Sequence, residues 1–209
     1  LSTFQTGQVS LERVEELLRR EPAIQSPVQP EELHRISRPG GSAAHDLHVR
    51  YEESSSDALK GLSFHVKPGE LVAVVGPVGC GKTTLARALG RMVEVPAGQL
   101  SIDGQDITAL SLDDLRSKIS LVPQEGYLFT ATLAENLRFG RPNATDSEMQ
   151  QAARQAQLEG DVQAFPNGYE TLVGERGITL SGGQRQRPAL ARALLVRAPI
   201  LVLDDALAS

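Results

Sequence analysis

Residues Gly76-Pro-Val-Gly-Cys-Gly-Lys-Thr83 constrain this chain more than any other stretch. They satisfy the pattern G-x-x-x-x-G-K-[ST] at every fixed position. The run before them, Leu71-Val-Ala-Val-Val75, is continuous and apolar between Pro68-Gly69 and Gly76-Pro77, which predicts a strand buried on both faces. The run after them, Thr84 to Gly90, predicts a helix. Gly76, Gly79 and Gly81 carry no Cβ, so backbone N–H groups can converge on an anion at the helix N-terminus, with Pro77, Val78 and Cys80 filling the variable positions. Lys82 adds a positive charge for the terminal phosphates, Thr83 a hydroxyl for magnesium, and Thr84 a further hydrogen bond. The combination implies a bound nucleoside triphosphate with Mg2+. Cys80 lies inside the loop at the helix entry, so it reads either as a small tolerated side chain or as a thiol whose alkylation would block nucleotide.

An acidic partner is expected for that loop. Ile200-Leu-Val-Leu203 reads as a buried strand that ends in Asp204 and Asp205. A carboxylate at the C-terminal edge of such a strand stands where ligands of α/β sheets bind, so Asp204 is the magnesium candidate. Its neighbour Asp205 points to the other face and is the candidate base for a water near the γ phosphate.

The order of strand, glycine loop, helix and later acid-tipped strand places the chain in the α/β class. Leu47–Tyr51 and Leu59–Val66 read as an antiparallel hairpin. Ser111 with Asp114, and Thr145 with Glu148, are capping-box signals that open helices. Leu11, Val14, Leu17 and Leu18 lie on one face of a predicted N-terminal helix with Ser10 as its cap, and Pro22 ends it. Residues 23–44 are rich in Pro, Ser and Gly and read as a linker, with a domain boundary near residue 45.

With 209 residues and a net charge of −5, the chain has room for one principal domain and offers no general attraction to nucleic acid or anionic lipid. One cysteine excludes an internal disulfide, and no Cys/His spacing of a zinc site occurs. No stretch of about 18 apolar residues is present that could span a bilayer. Leu1 and Ser209 both read as cut ends, so the chain is expected to be a fragment.

Leu180-Ser-Gly-Gly-Gln184, followed by Arg185-Gln-Arg187 and an Ala/Leu-rich helix, narrows the class. With these residues and the phosphate loop, residues 45–209 resemble the ATP-binding cassette (ABC) family, whose signature motif is LSGGQ. The resemblance implies a P-loop NTPase with a RecA-like parallel core, an antiparallel β subdomain and a helical subdomain at about 125–180, truncated after the Walker B strand. It implies that Leu180, Ser181, Gly182, Gly183 and Gln184 act in trans on ATP held by a second nucleotide-binding domain. It implies that Tyr51 stacks on adenine, and that Gln124 reaches both magnesium and the attacking water while sensing the transport domain. Thr132–Gly140 and Val173–Gly177 look like exporter segments, and residues 1–22 like the helix that follows a transmembrane domain of the same full-length chain. The expected activity is ATP hydrolysis that powers export, at the cytoplasmic face of a membrane, without nucleic acid.

Two departures qualify that expectation. Most family members have Glu where this chain has Asp205, one methylene shorter, and a displacement of about 1 Å can cost about 100-fold in rate. The resemblance then favours a heterodimer over a homodimer, with slow hydrolysis at this chain's own site. A non-hydrolysing regulatory module is the first alternative, and an ABC ATPase without a membrane domain the second. Pro188 is the other departure, since proline inside a helix removes a donor and is expected to kink it. The family's switch histidine would follow Walker B, and His34, His45, His48 and His65 all precede the phosphate loop.

Overall fold

The structure is a computed structural model and describes residues 11–205, except 12, 17, 20, 35–37, 53 and 175–179. A four-stranded antiparallel sheet, ordered β2-β1-β3-β4, is built from β1 (Ser42–Val49), β2 (Leu59–Val66), β3 (Leu100–Ile102) and β4 (Gln105–Asp106). The expected hairpin is β1–β2, and β1 starts at Ser42, ahead of the boundary expected at residue 45. Its alternation is only partial because Asp46 takes a left-handed conformation (φ 49°) where the register slips between Ala44 and Leu47. That bulge lets Ala44, Leu47 and Val49 all face the core despite their uneven spacing.

Under this sheet lies α1 (Lys82–Leu89), whose Leu85 and Ala88 join Leu47, Val49, Leu100, Ile102, Ile107 and Leu110 in one core. Burying each large aliphatic side chain contributes about 1.5–3 kcal/mol, so the helix that opens with Lys82 is held to the sheet from below. After α2 (Leu112–Ser117), whose Ser111 cap accepts from the Asp114 amide, β5 (Ile119–Val122) pairs in parallel with β8 (Ile200–Leu203).

A second core belongs to the helical part. The short strands β6 (Ala131–Thr132) and β7 (Leu172–Val173) close a region that holds α3 (Leu133–Arg138), α4 (Asp146–Gln155) and α5 (Glu159–Ala164). Leu133, Leu137, Met149, Ala153 and Leu158 pack there against Ala191 and Leu195 of α6 (Gly182–Val196). Ala189 and Ala193 of α6 meet Val122 of β5, so one helix touches both parts. The Thr145–Glu148 capping box forms as expected, and Thr132–Glu135 and Ser181–Gln184 form two more.

Two expectations fail. Leu71–Val75 joins no ladder, and Leu71 and Val75 are 99% and 88% exposed. A continuous apolar run becomes a buried strand only between two hydrogen-bonding neighbours, and among the described residues none pairs with it. Likewise β8 is paired but half-covered, with Leu201 and Leu203 each 40% exposed. Helix α6 runs unbroken through Pro188, whose ring is buried. Residues 11, 13–16, 18 and 19 are helical, with Leu11, Val14 and Leu18 exposed, while Ser10 and Leu17 lie outside the described residues.

Candidate functional site

Gly81 turns the chain from the loop into α1 with φ +98°, and an added Cβ there would stand 2.7 Å from the Ala58 carbonyl oxygen. Only glycine makes this turn without strain and comes so close to β2. Gly79 is also left-handed (φ +81°), with open space around its Cβ position. The loop faces a cavity of about 830 Å³ lined in part by Ala58, Leu59, Val75, Gly79, Cys80 and Lys82. Lys82 turns back on the loop, its ammonium donating to the carbonyls of Gly76 (2.8 Å) and Pro77 (3.0 Å). The loop's own carbonyl oxygens take up that charge. Cys80 is exposed, its sulfur 3.9 Å from the same ammonium.

The acidic partner reaches the loop from the other end of the sequence. Asp204 continues the parallel ladder beyond β8, its N–H donating to the Val122 carbonyl at 2.9 Å. This places its carboxylate to accept from the Thr83 hydroxyl at 3.0 Å. A hydroxyl beside a carboxylate at the foot of a phosphate loop is the oxygen donor set that Mg2+ takes in triphosphate sites, together with phosphate oxygens and water. The residues present therefore fit the ion.

Asp205 is left-handed (φ 54°), and its carboxylate accepts from the Gln124 side-chain amide at 3.5 Å. The pairing of β5 with β8 explains the approach, since Gln124 follows β5 and Asp205 follows β8 at the same end. Thr83, Gln124, Asp204 and Asp205 are thus brought to one edge. Tyr51 stands at the first turn of α1, its hydroxyl 3.2 Å from the Thr84 hydroxyl. Thr84 is buried, so its side chain serves Tyr51 rather than solvent.

The segment Leu180–Gln184 opens α6. Ser181 accepts from the Gln184 N–H and Gln184 accepts from the Ser181 N–H. That box leaves the Ser181 hydroxyl proton and the first helical N–H groups, Gly182 and Gly183, free of intrahelical acceptors. No atom lies near the Cβ position of Gly182, so the helix start is open to an incoming phosphate. Its orientation is fixed by Asp161 of α5, which accepts from Arg187 at 2.6 and 3.0 Å and from Gln184 at 3.3 Å. The Asp161 hydrogen bond raises the Arg187 pKa. Glu175 to Gly177 lie outside the described residues, as does Thr179.

The sequence reading missed a polar hub that joins Tyr127 and Phe129 to α6. Arg192 donates to the Asn136 carbonyl (2.8 Å), the Asn136 side-chain oxygen (3.2 Å) and the Tyr127 carbonyl (3.2 Å). Asn136 is itself buried and holds both backbone groups of Phe129. Burial pushes the Arg192 pKa down, yet three acceptors and the rings of Phe129 and Phe139 surround its guanidinium. Gly126 rests on the same helix, where a Cβ would meet the Arg185 carbonyl oxygen at 2.5 Å. The available signal was an arginine on the apolar side of a predicted helix.

Comparison with known proteins gives a consistent result. Residues 59–208 match the family model described as ABC transporter. The chain is 41% identical over its whole length to a probable multidrug resistance ABC transporter ATP-binding/permease protein of Bacillus subtilis, and spans 35% of that protein. It is 41% identical over 205 residues to the rat ATP-binding cassette sub-family B member 6, covering 24% of it. A solved structure of a bacterial Atm1-family ABC exporter with ATP bound superposes with a TM-score of 0.84 at 36% identity, over 98% of this chain and 35% of that one.

Proposed function

The chain belongs to the ABC transporter family, and from that premise we propose that it is the ATP-binding unit of an exporter in which two such units clamp two ATP molecules and hydrolysis drives transport. The observation that carries the reading is the 3.0 Å contact between Thr83 and Asp204, which joins the phosphate loop to the acid-tipped strand across the whole domain. The loop amides of Gly79 to Thr83 and the Lys82 ammonium bind the phosphates once Lys82 leaves the carbonyls of Gly76 and Pro77. Thr83, Asp204 and Gln124 hold magnesium, which when bound neutralises charge shared by the β and γ phosphates. Tyr51, beside the first turn of α1, supplies a flat face for adenine.

Asp205 and Gln124 orient the attacking water, Asp205 as the group that accepts its proton. The 3.5 Å contact between them and the short aspartate side chain favour slow turnover here, and hence a heterodimer in which Ser181–Gln184 serves a faster partner site. Among the described residues no helix is long and apolar enough to cross a membrane. The membrane-spanning part would lie in the remainder of the full-length chain, as the designation ATP-binding/permease indicates for the Bacillus relative. That arrangement sets this domain at the cytoplasmic face.

The test is Ser181→Arg in the reconstituted full-length protein. Turnover is expected to collapse while ATP binding at the variant's own loop stays within about twofold, because the signature acts only across the dimer. Unchanged turnover would remove the in-trans reading.

A further inference from the structure

Residues 25–34, expected to be a slack linker, lie strapped across the domain at five polar points. The Gln25 carbonyl accepts from Arg91 at 3.3 Å, and the Ser26 hydroxyl accepts from the Leu112 amide at 2.9 Å. Glu31 donates to the Ala109 carbonyl at 2.9 Å and forms a parallel bridge with Leu110. Gln105, buried in β4, closes the far end with both ends of its carboxamide: its nitrogen donates to the Glu32 carbonyl (2.9 Å) and its oxygen accepts from the His34 amide (2.7 Å). One side chain thereby imitates a strand neighbour, and Leu33 between these points packs into the main core.

Arg91 makes the strap a mechanical element. It follows directly on α1, the helix that begins with Lys82 and Thr83. Arg116 fixes that helix end by donating to the carbonyls of Gly90 (3.3 Å) and Arg91 (3.2 Å). Arg91 itself is 8% exposed, holds a left-handed backbone (φ 45°), and keeps one guanidinium nitrogen, Nη1, buried without a hydrogen-bond partner. The left-handed backbone at Arg91 is strained, and this lowers the free energy of releasing the strap. Such a contact is poised to open and close rather than built to stay shut.

We propose that residues 25–34 form a releasable strap that couples the polypeptide preceding the domain to the phosphate-loop helix, with Arg91 and Gln105 as its positioning residues. The proposal rests on the ATP-binding function given above. ATP on the loop anchors the N-terminus of α1, the anchored helix holds Arg91 on Gln25 at its other end, and the strap tightens. By linkage, a loosened strap weakens ATP by the same factor.

The experiment is amide hydrogen exchange on the full-length protein, with and without Mg-ATP, alongside nucleotide binding. In the unmodified protein Mg-ATP should slow exchange at Glu31 and His34 by about fivefold or more, within the usual range of such couplings. Arg91→Met and Gln105→Leu should each abolish that ATP-dependent slowing and weaken ATP about fivefold, whereas Arg91→Lys, which keeps one donor for Gln25, should restore most of both. The amides of Leu100 and Ile102 report whether each variant keeps its core, and the unmodified protein decides alone if a variant does not. Exchange at Glu31 and His34 that ignores ATP, in protein whose ATP binding depends on Lys82, overturns the strap and leaves the ATP-binding function standing. Absence of Lys82-dependent ATP binding overturns both.

Discussion

The Thr83 hydroxyl donates to the Asp204 carboxylate at 3.0 Å, although 121 positions separate the two residues. The contact exists because α1 is seated under the antiparallel sheet while Asp204 extends the β5–β8 ladder. Either support failing would separate Asp204 from the phosphate loop. Asp204→Asn keeps the shape and removes the charge. It should weaken magnesium-dependent ATP binding at least about tenfold, a charged ligand contact being worth about 1.5–3 kcal/mol, and leave metal-free nucleotide binding nearly unchanged. Titration with a fluorescent ATP analogue, with Mg2+ and with EDTA, checks both halves.

Gly81→Ala attacks the loop's geometry instead. The new methyl would meet the Ala58 oxygen and a Leu59 methyl carbon at 2.7 Å each, in a backbone already at φ +98°. A cost of about 1–3 kcal/mol is expected, seen both as a lowered melting temperature and as weaker ATP binding. An alanine variant as stable as the parent would contradict the reason given for this glycine.

Asp205→Glu should raise turnover of the reconstituted protein by about 10- to 100-fold if a short side chain is what limits it. Steady-state phosphate release measures this. No gain would sink the account of Asp205, while the rest of the site would stand.

His48 offers a pH-dependent check away from the nucleotide. Its ring nitrogens lie 3.1 Å from Asp57 and 3.4 Å from Asp46, and the Asp57 hydrogen bond, the largest cause, raises its pKa above 6.5 against a smaller opposing effect of burial. A raised folded-state pKa contributes stability that is fully present below 6.5 and is lost as pH climbs through the folded value. Asp57→Asn should return the His48 midpoint toward 6.5, as followed by its ring proton shifts in NMR.

How legible this site was from sequence differed by the range of the interactions involved. The phosphate loop, the N-cap at Ser111, the capping box at Thr145, and the acid after β8 were readable because each depends on neighbouring residues. Leu71–Val75 was misread because a strand is defined by its partners, which residue type does not record. The 25–34 segment looked like a linker from its prolines, yet Gln105 and Arg91, more than 60 positions away, decide its conformation. Arg192 and Asn136 were missed for a related reason: a polar pair between helices has no periodicity of its own, and only the packed helices reveal that each satisfies the other. The bulge at Asp46 shows the intermediate case, in which a visible but broken alternation had a local backbone cause.

The most direct test of the central claim is the magnesium-dependent affinity of this chain for ATP, compared with that of Lys82→Ala. The account predicts saturable binding by the unmodified protein and a loss of at least about tenfold in the variant, since Lys82 would no longer leave the carbonyls of Gly76 and Pro77 for the phosphates. Equal affinity in the two proteins would contradict it.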